Sequence, residues 1–485
     1  DPNANYQNAF CQVYDIWKDA TRQQKEYIVS ERAFELLMDH ACQTANELYG
    51  QGQWTQAYIN GVQWLMMFKP ENAAYRELDK KLGEVSAILE FLREDDCEDK
   101  IQRYTPIERP TVQQVFSILQ AQYVTPLRFD KMAEGMRNRA VILGDVLKTE
   151  RSELVLKIDP NDITQWVQSV KNIPDDLNGG KSGRFDRQDF EDFLDVLLTL
   201  NDKTLKLPEG FMLSMMTDAA LSQLDPYTMM VWPFAVEDFD KALTGQFGGI
   251  GVHIRKEREG LRILSLIPGT PAMKAGLQAD AVIVAVDGES TGDMSITCSV
   301  EKISGPVGTS VTLTVRYPGS DTDELVTIIR DNIIVPAVEG SRQVNVKSPG
   351  EKAVHDTDPN KQSPPAKEND ADNHWDYFLD DRQHIGYLRL KQFTEQTIPE
   401  VTQALAKLET DGLAALVLDL RGNGGGLLSA AIQTADLFVD NGFLLQSRGR
   451  NNTYAAWTAT DGPERSYPLA ILIDGASASA SEVVT

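Results

Sequence analysis

LAALVLDLRGNGGGLLSA, residues 413–430, couples an apolar run to a loop with four glycines in five positions. Leu413–Leu420 is the length of a strand buried on both faces, and such strands belong to sheets covered by helices. The sequence around it alternates in the same way. HIGYLRL (384–390) reads as a strand, TIPEVTQALAKLE (397–409) as an amphipathic helix, and LLSAAIQTADLFV (427–439) as a second helix. FLLQSR (443–448) and LAILID (469–474) are further strands, and ASASASEVV (476–484) opens another helix. This is an α/β domain whose loops after strands carry the chemistry.

Gly-rich loops after strands often cradle phosphates. A P-loop requires a GK[ST] ending, which Leu427-Leu428-Ser429 does not supply, and a dinucleotide GxGxxG counted from Gly422 lacks its third glycine. Glycine at Gly424–Gly426 instead suits a backbone N–H aimed at a developing oxyanion. The second loop, GASASASE (475–482), turns from a strand into a helix on small residues. Ser479 and Glu482 match S-x-x-E, a capping box, and a helix cap accounts for them structurally. The same geometry puts Ser479 beside free N–H donors and the positive end of a helix dipole, where an alkoxide is stabilised.

Upstream the texture differs. From Gly245 to Val338 short β-rich runs alternate with turns. In FGGIGVHI (247–254), Gly248, Gly249, Ile250 and Gly251 precede a strand that begins at Val252. Glycines there let N–H groups converge into an anion nest, and an open strand edge beside it takes an extended peptide by its terminal carboxylate. SLIPGTPAMKAGLQADAVIVAVDGEST (265–291) resembles the middle of a PDZ domain, with a short helix after Pro271. Residues 339–374 are polar and poor in aliphatics and read as a disordered insertion.

Residues 1–240 are helical in pattern. Ala45, Leu48, Tyr49, Gly52, Trp54 and Ala57, closed by Pro70, fit one tetratricopeptide-like unit or an ordinary helical hairpin. NGGKSGRFDRQDF (178–190) resembles the exit half of an EF-hand. Its Asn178, Gly180 and Ser182 bring too little charge for calcium, and the alternative is a turn capping a helix.

The 485 residues carry 47 basic and 72 acidic side chains, net −25, which argues against a nucleic-acid partner and against docking on anionic lipid. No apolar run is long enough for a membrane span. Cys11, Cys42, Cys97 and Cys298 have no zinc spacing; they read as small buried thiols, with a Cys11–Cys42 pair as the alternative. The chain opens DPNANYQ without an initiator Met, which leaves a removed leader or a trimmed start.

From FDKMAEGM through LSQLDPYTMMV, TGQFGGIGV, GYLRLKQF and LVLDLRGNGGG to DGASASASE, the wording and order resemble the carboxy-terminal processing peptidases, also called tail-specific proteases. The resemblance implies a multi-domain α+β fold: helices at 1–110, helices leading into the peptidase at 111–240, a PDZ domain at 241–338, and an α/β serine peptidase core at 375–485. It implies Ser479 as nucleophile, the N–H of Ala480 with one from the Gly424–Gly425–Gly426 loop as oxyanion hole, and Glu482 as an acidic residue beside the nucleophile. The general base it implies is a lysine some two dozen residues after the serine. No lysine follows Lys407, and neither His374 nor His384 falls in a family motif. The expectation is that the domain continues past Thr485 and supplies the lysine there, so that residues 1–485 alone lack normal peptidase activity. The resemblance further implies protein or peptide substrates with free C-termini, no cofactor or metal, and a periplasmic or secreted location. The N-terminal helices offer a face for a protein partner. Two other readings stand beside the peptidase: a non-catalytic PDZ and helical-repeat adaptor, and a nucleotide-binding α/β enzyme resting on the glycine loop alone.

Overall fold

The computed structural model describes residues 2–92, 102–149, 158–174, 185–320, 322–343, 375–380, 382–450, 454–460 and 465–485. The chain divides into two compact units, one made mostly of residues up to Trp232 and one running from Pro233 to Thr485. Among the described residues no helix is long and apolar enough to cross a membrane. The insertion's residues 344–374, Asn178, Gly180, Ser182, Cys97 and His374 lie outside the described set.

The first unit is helical. Helix Arg32–Gly50 turns back through Gly52, at φ +75°, into the helical run Trp54–Phe68, whose middle turn Tyr58–Val62 is π-helical. Gly61 lets the two arms touch: a Cβ there would lie 2.5 Å from Ala45 Cβ. Phe10, Phe34, Trp64 and Phe68 close the end of this hairpin, with Phe10 stacked on Trp64 at 5.2 Å. Helix Phe129–Thr149 is the centre of the unit. Gly144 admits Val167 of helix Pro160–Lys171, and Gly135 admits the Ala219 carbonyl of helix Glu209–Leu221. Asp186 accepts from the N–H groups of Gln188 and Asp189, and the Asp189 carboxylate accepts from the Asp186 N–H at 2.9 Å. The two acidic groups of the EF-hand-like stretch therefore cap helix Arg187–Lys203.

Cys11 and Cys42 are free, Cys11 at the surface and Cys42 half-buried. Cys298 is fully buried and disulfide-bonded, so the thiol reading fails there.

The second unit holds two sheets of consequence. Strands β1 (Gln246–Gly249), β2 (Val252–Glu257), β3 (Gly260–Leu266), β4 (Val282–Val286), β5 (Glu289–Ser290), β6 (Ser310–Arg316), β7 (Asp323–Ile329) and β8 (Asp331–Ile334) make the β-rich part. Its main sheet runs β2-β3-β4-β6-β7, antiparallel throughout, with β5 beside β4; β1 pairs separately with β8. Alternation along β6, with Val311, Leu313 and Val315 buried, supplies one wall of its core. The buried Arg330 guanidinium closes the end of helix Ile296–Ile303 by donating to the carbonyls of Lys302 and Ile303 at 2.8 and 2.9 Å.

After β8 come β9 (Val338–Glu339), β10 (Arg342–Gln343), β11 (Trp375–Asp376), β12 (Phe378–Asp380), β13 (Ile385–Leu390), β14 (Ala415–Asp419), β15 (Phe443–Arg448), β16 (Tyr454–Thr458) and β17 (Leu469–Leu472). The central ladder β13-β14-β17 is parallel; β9 and β12 add to β13 antiparallel. Leu388, Leu390, Leu416, Leu418 and Leu420 meet Val401, Leu405 and Leu408 of helix Thr397–Thr410 in one core. The expected strand-helix alternation is present, and β14 and β17 end side by side. The loops that follow them therefore meet.

One buried group in the helical unit titrates within reach. Asp218 takes two bonds from the Trp232 indole N–H, each 3.2 Å, and burial pushes its pKa up to about 6. The folded protein then holds this proton more tightly than the unfolded chain. Stability from this group is greatest below about pH 4 and falls as pH rises towards 6, by roughly 3 kcal/mol in all. Urea unfolding across that range should show the fall in the wild type and a flatter profile in Asp218→Asn.

Candidate active site

Asp419 closes β14 and is fully buried. Its carboxylate accepts from Arg421 Nε at 2.9 Å, Arg421 Nη2 at 2.6 Å, the Arg421 N–H at 2.9 Å and the Tyr387 hydroxyl at 2.6 Å. The guanidinium and phenol bonds hold Asp419 well below the usual carboxylate range. Four donors on one carboxylate fix the direction in which the chain leaves the sheet.

Asn423, with no exposed surface, then organises the glycine loop. Its Nδ2 donates to the Leu390 carbonyl at 3.0 Å, and its Oδ1 accepts from the Gly425 N–H at 2.9 Å. Its own carbonyl accepts from the Ala478 N–H at 3.1 Å and from Ser481 Oγ at 2.8 Å. Gly425 and Gly426 then run beside Phe393: the Phe393 N–H donates to Gly425 at 3.0 Å, and the Leu427 N–H to Phe393 at 2.7 Å. Both glycines have left-handed φ, +110° and +136°. A Cβ on Gly425 would stand 2.9 Å from Ser479 Cβ and 3.0 Å from the Ala480 nitrogen. Only glycine brings this loop against the second one.

The second loop explains its three alternating serines. Ser477 Oγ donates to the Leu420 carbonyl at 2.8 Å and accepts from the Asp474 N–H at 3.0 Å. Ser481 is buried and donates to Asn423. Ser479 is exposed, and its hydroxyl makes no cap bond to the helix. The Glu482 carboxylate accepts from the Ser479 N–H at 2.8 Å. The Glu482 N–H donates to the Ser479 carbonyl at 2.9 Å. Ser479 also has φ +53° and ψ −112°, a conformation that a residue with a Cβ adopts at a cost of about 1–3 kcal/mol. Asp474 ties the loops once more by accepting from the Gly422 N–H at 3.0 Å.

Donors remain for an incoming oxygen. The Gly425 N–H is committed to Asn423, whereas those of Gly424, Gly426 and Ala480 donate to nothing among the described residues. Ala480 is buried at the first turn of helix Ala480–Val484. The structure thus brings Ser479, Ala480, Glu482 and the glycine loop together and gives Gly425 a packing role. His384 bonds through Nδ1 to the Asp411 carbonyl at 3.1 Å, in a turn before β13.

At the glycines of 248–251 the arrangement differs from the expected nest. Gly248 and Gly249 lie within β1, opposite Asn332 and Asp331. Gly248 is needed for contact: a Cβ there would meet the Gly305 carbonyl at 2.1 Å. Ile250 is a core side chain, and Gly251, at φ +82°, has Thr270 where a Cβ would sit. The N–H groups of Ile250 and Gly251 donate to nothing among the described residues. Ile267 donates to the Gly251 carbonyl, so Val252 faces Leu266 in a non-hydrogen-bonded pair and turns its N–H to the open edge of β2. The free donors are thus those of Ile250, Gly251 and Val252.

Asn423, Asp474 and Phe393 were not legible as site residues. The one sequence signal was an asparagine set among glycines directly after a buried strand.

Residues 384–485 match the model of peptidase family S41, and residues 262–316 match that of the PDZ domain. Residues 384–485 are thus similar to peptidase family S41. A carboxy-terminal-processing protease of Bartonella bacilliformis is 33% identical over 270 residues, 54% of this chain and 53% of that protein. A carboxyl-terminal-processing protease of Picosynechococcus is 29% identical over 263 residues, 54% and 55% respectively. The carboxy-terminal processing protease CtpA of Bacillus subtilis is 28% identical over 261 residues, 54% and 48%. The chain spans about half the length of the curated relatives it matches.

The three serines of this S41 segment differ in what they do for the fold, and stability should sort them. In urea unfolding, Ser477→Ala and Ser481→Ala should each cost about 1–2 kcal/mol. Ser479→Ala should stay within about 0.5 kcal/mol of wild type, and Ser479→Gly should gain about 1 kcal/mol by relieving the strained φ.

Proposed function

We propose that this chain is the PDZ-bearing part of a serine endopeptidase that captures protein C-terminal tails and cleaves upstream of them. The observation that carries the reading is the division of labour in 477–481: two serines latch the loops, and the middle one is strained, exposed and uncommitted beside free N–H donors. Ser479 Oγ attacks the scissile carbonyl. The oxyanion forms against the Ala480 N–H and one from Gly424 or Gly426, with each such donor worth about 3–4 kcal/mol in the transition state. Glu482 holds the Ser479 backbone through its carboxylate. The base is a lysine in the sequence that follows residue 485, desolvated so that its neutral amine takes the serine proton. No cofactor or metal enters the reaction.

At the PDZ domain, the substrate's terminal carboxylate meets the N–H groups of Ile250, Gly251 and Val252, and its backbone adds to the open edge of β2. The protein works in the periplasm or is secreted, a location that rests on the resemblance to carboxy-terminal processing peptidases.

The natural protein with the residues after Thr485 should cleave an unstructured substrate ending in an apolar residue. Ser479→Ala should abolish cleavage and leave tail binding intact, and an amidated tail should bind far more weakly than the free acid. Tail binding without cleavage by that longer protein would favour the adaptor reading, and equal binding of acid and amide would remove tail recognition.

A further inference from the structure

Within the helical unit, basic side chains converge on a cavity of about 670 Å³. Arg76, Lys80 and Lys81 come from helix Ala73–Leu92, Arg137 from helix Phe129–Thr149, and Lys171 from the last turn of helix Pro160–Lys171. Two carboxylates also line it, and both are partnered. Glu84 pairs with the buried Arg139, and Glu77 pairs with Lys81 at 3.1 Å. Lys80 reaches the Gln223 amide oxygen at 3.4 Å, and neither Lys80 nor Lys171 has an acidic partner among the described residues. Both lysines are exposed. Half-buried Val141 and Ile142 supply an apolar wall.

A concave cationic site stands out in a chain of net charge −25, whose overall field repels anions. Two unanswered ammonium groups call for carboxylate or phosphate. The apolar wall calls for a hydrophobic side chain between them, and free phosphate would leave that wall unused. A nucleic acid needs a continuous basic surface, not a cavity in an acidic protein. The volume suits a few residues of peptide.

We propose that this cavity binds an acidic peptide segment of a partner protein. One aliphatic side chain lies against Val141 and Ile142, and flanking carboxylates are held by Lys80 and Lys171. This site is separate from the PDZ edge and the Ser479 loops and does not depend on the peptidase reading.

The test uses the whole chain and a fluorescent peptide with one leucine flanked on both sides by aspartate and glutamate. Its C-terminus is amidated to keep it from the PDZ domain. Anisotropy should show saturable binding that weakens as salt rises. The pair Lys80→Glu with Lys171→Glu should lower affinity at least about tenfold. The pair Lys80→Arg with Lys171→Arg should retain binding, and leucine→serine in the peptide should weaken it. Circular dichroism checks that each variant is folded. Absence of binding, unchanged affinity in the glutamate pair, indifference to the leucine, or equal competition by inorganic phosphate would each overturn the proposal.

Discussion

Asn423 is the constraint on which the loops after β14 and β17 depend. A primary amide with no exposed surface must satisfy its polar atoms inside the protein, because each one left unpaired costs about 1–3 kcal/mol. The Asn423 amide reaches the end of β13 through Leu390 and the glycine loop through Gly425, while its backbone carbonyl takes the serine loop through Ala478 and Ser481. Its position follows from the strand before it. Asp419, held by Arg421 and Tyr387, sets the exit angle of β14, and the parallel pairing of β14 with β17 brings the two loops together.

That arrangement lets Ser479 keep a conformation it would not choose. The positive φ is maintained by bonds on either side of it, from Ala478 to Asn423 and from the Ser479 N–H to Glu482, so the hydroxyl has no part in holding the turn. The segments flanking the PDZ domain rest on the neighbouring residues 395–400. The Glu395 N–H donates to the Leu243 carbonyl at 3.2 Å, and the Glu400 carboxylate accepts from the Ala337 and Val338 N–H groups at 2.9 Å each. Two residues before Glu395 is Phe393, whose backbone pairs with the glycine loop. Entry to the PDZ domain, exit from it and the glycine loop are thus anchored on residues 393–400.

Much of this was legible because hydrophobic period and glycine placement are local signals. The strand-helix alternation from 384 onward is direct evidence of a covered sheet, and the run at 413–420 read as its buried strand is β14 at its centre. Ser479 stood out by resemblance and by its place between small residues. Its local pattern also fitted a helix cap, and the geometry adds what the pattern could not show: an exposed hydroxyl on a residue with positive φ. The roles of Gly248, Gly249 and Gly425 were not legible. Glycine is required wherever backbone must approach closely, and a sequence does not say whether the close neighbour is a ligand or the protein itself. For these three it is the protein: β8 and Gly305 in one case, Ser479 in the other. The helical hairpin at 32–68 shows the reverse. Ala45 and Ala57 predict close packing of two helices, which occurs with Ala45 set against Gly61, and are silent on whether a repeat follows.

Asn423 holds the two loops in register, and under the proposed function it does so without touching substrate. The most direct measurement is steady-state kinetics of Asn423→Ala, with tail affinity measured in parallel. The account predicts a fall in kcat of at least about 100-fold, with KM and tail binding close to wild type, because the oxyanion donors lose their placement. A variant that is folded and turns over at the wild-type rate would contradict it.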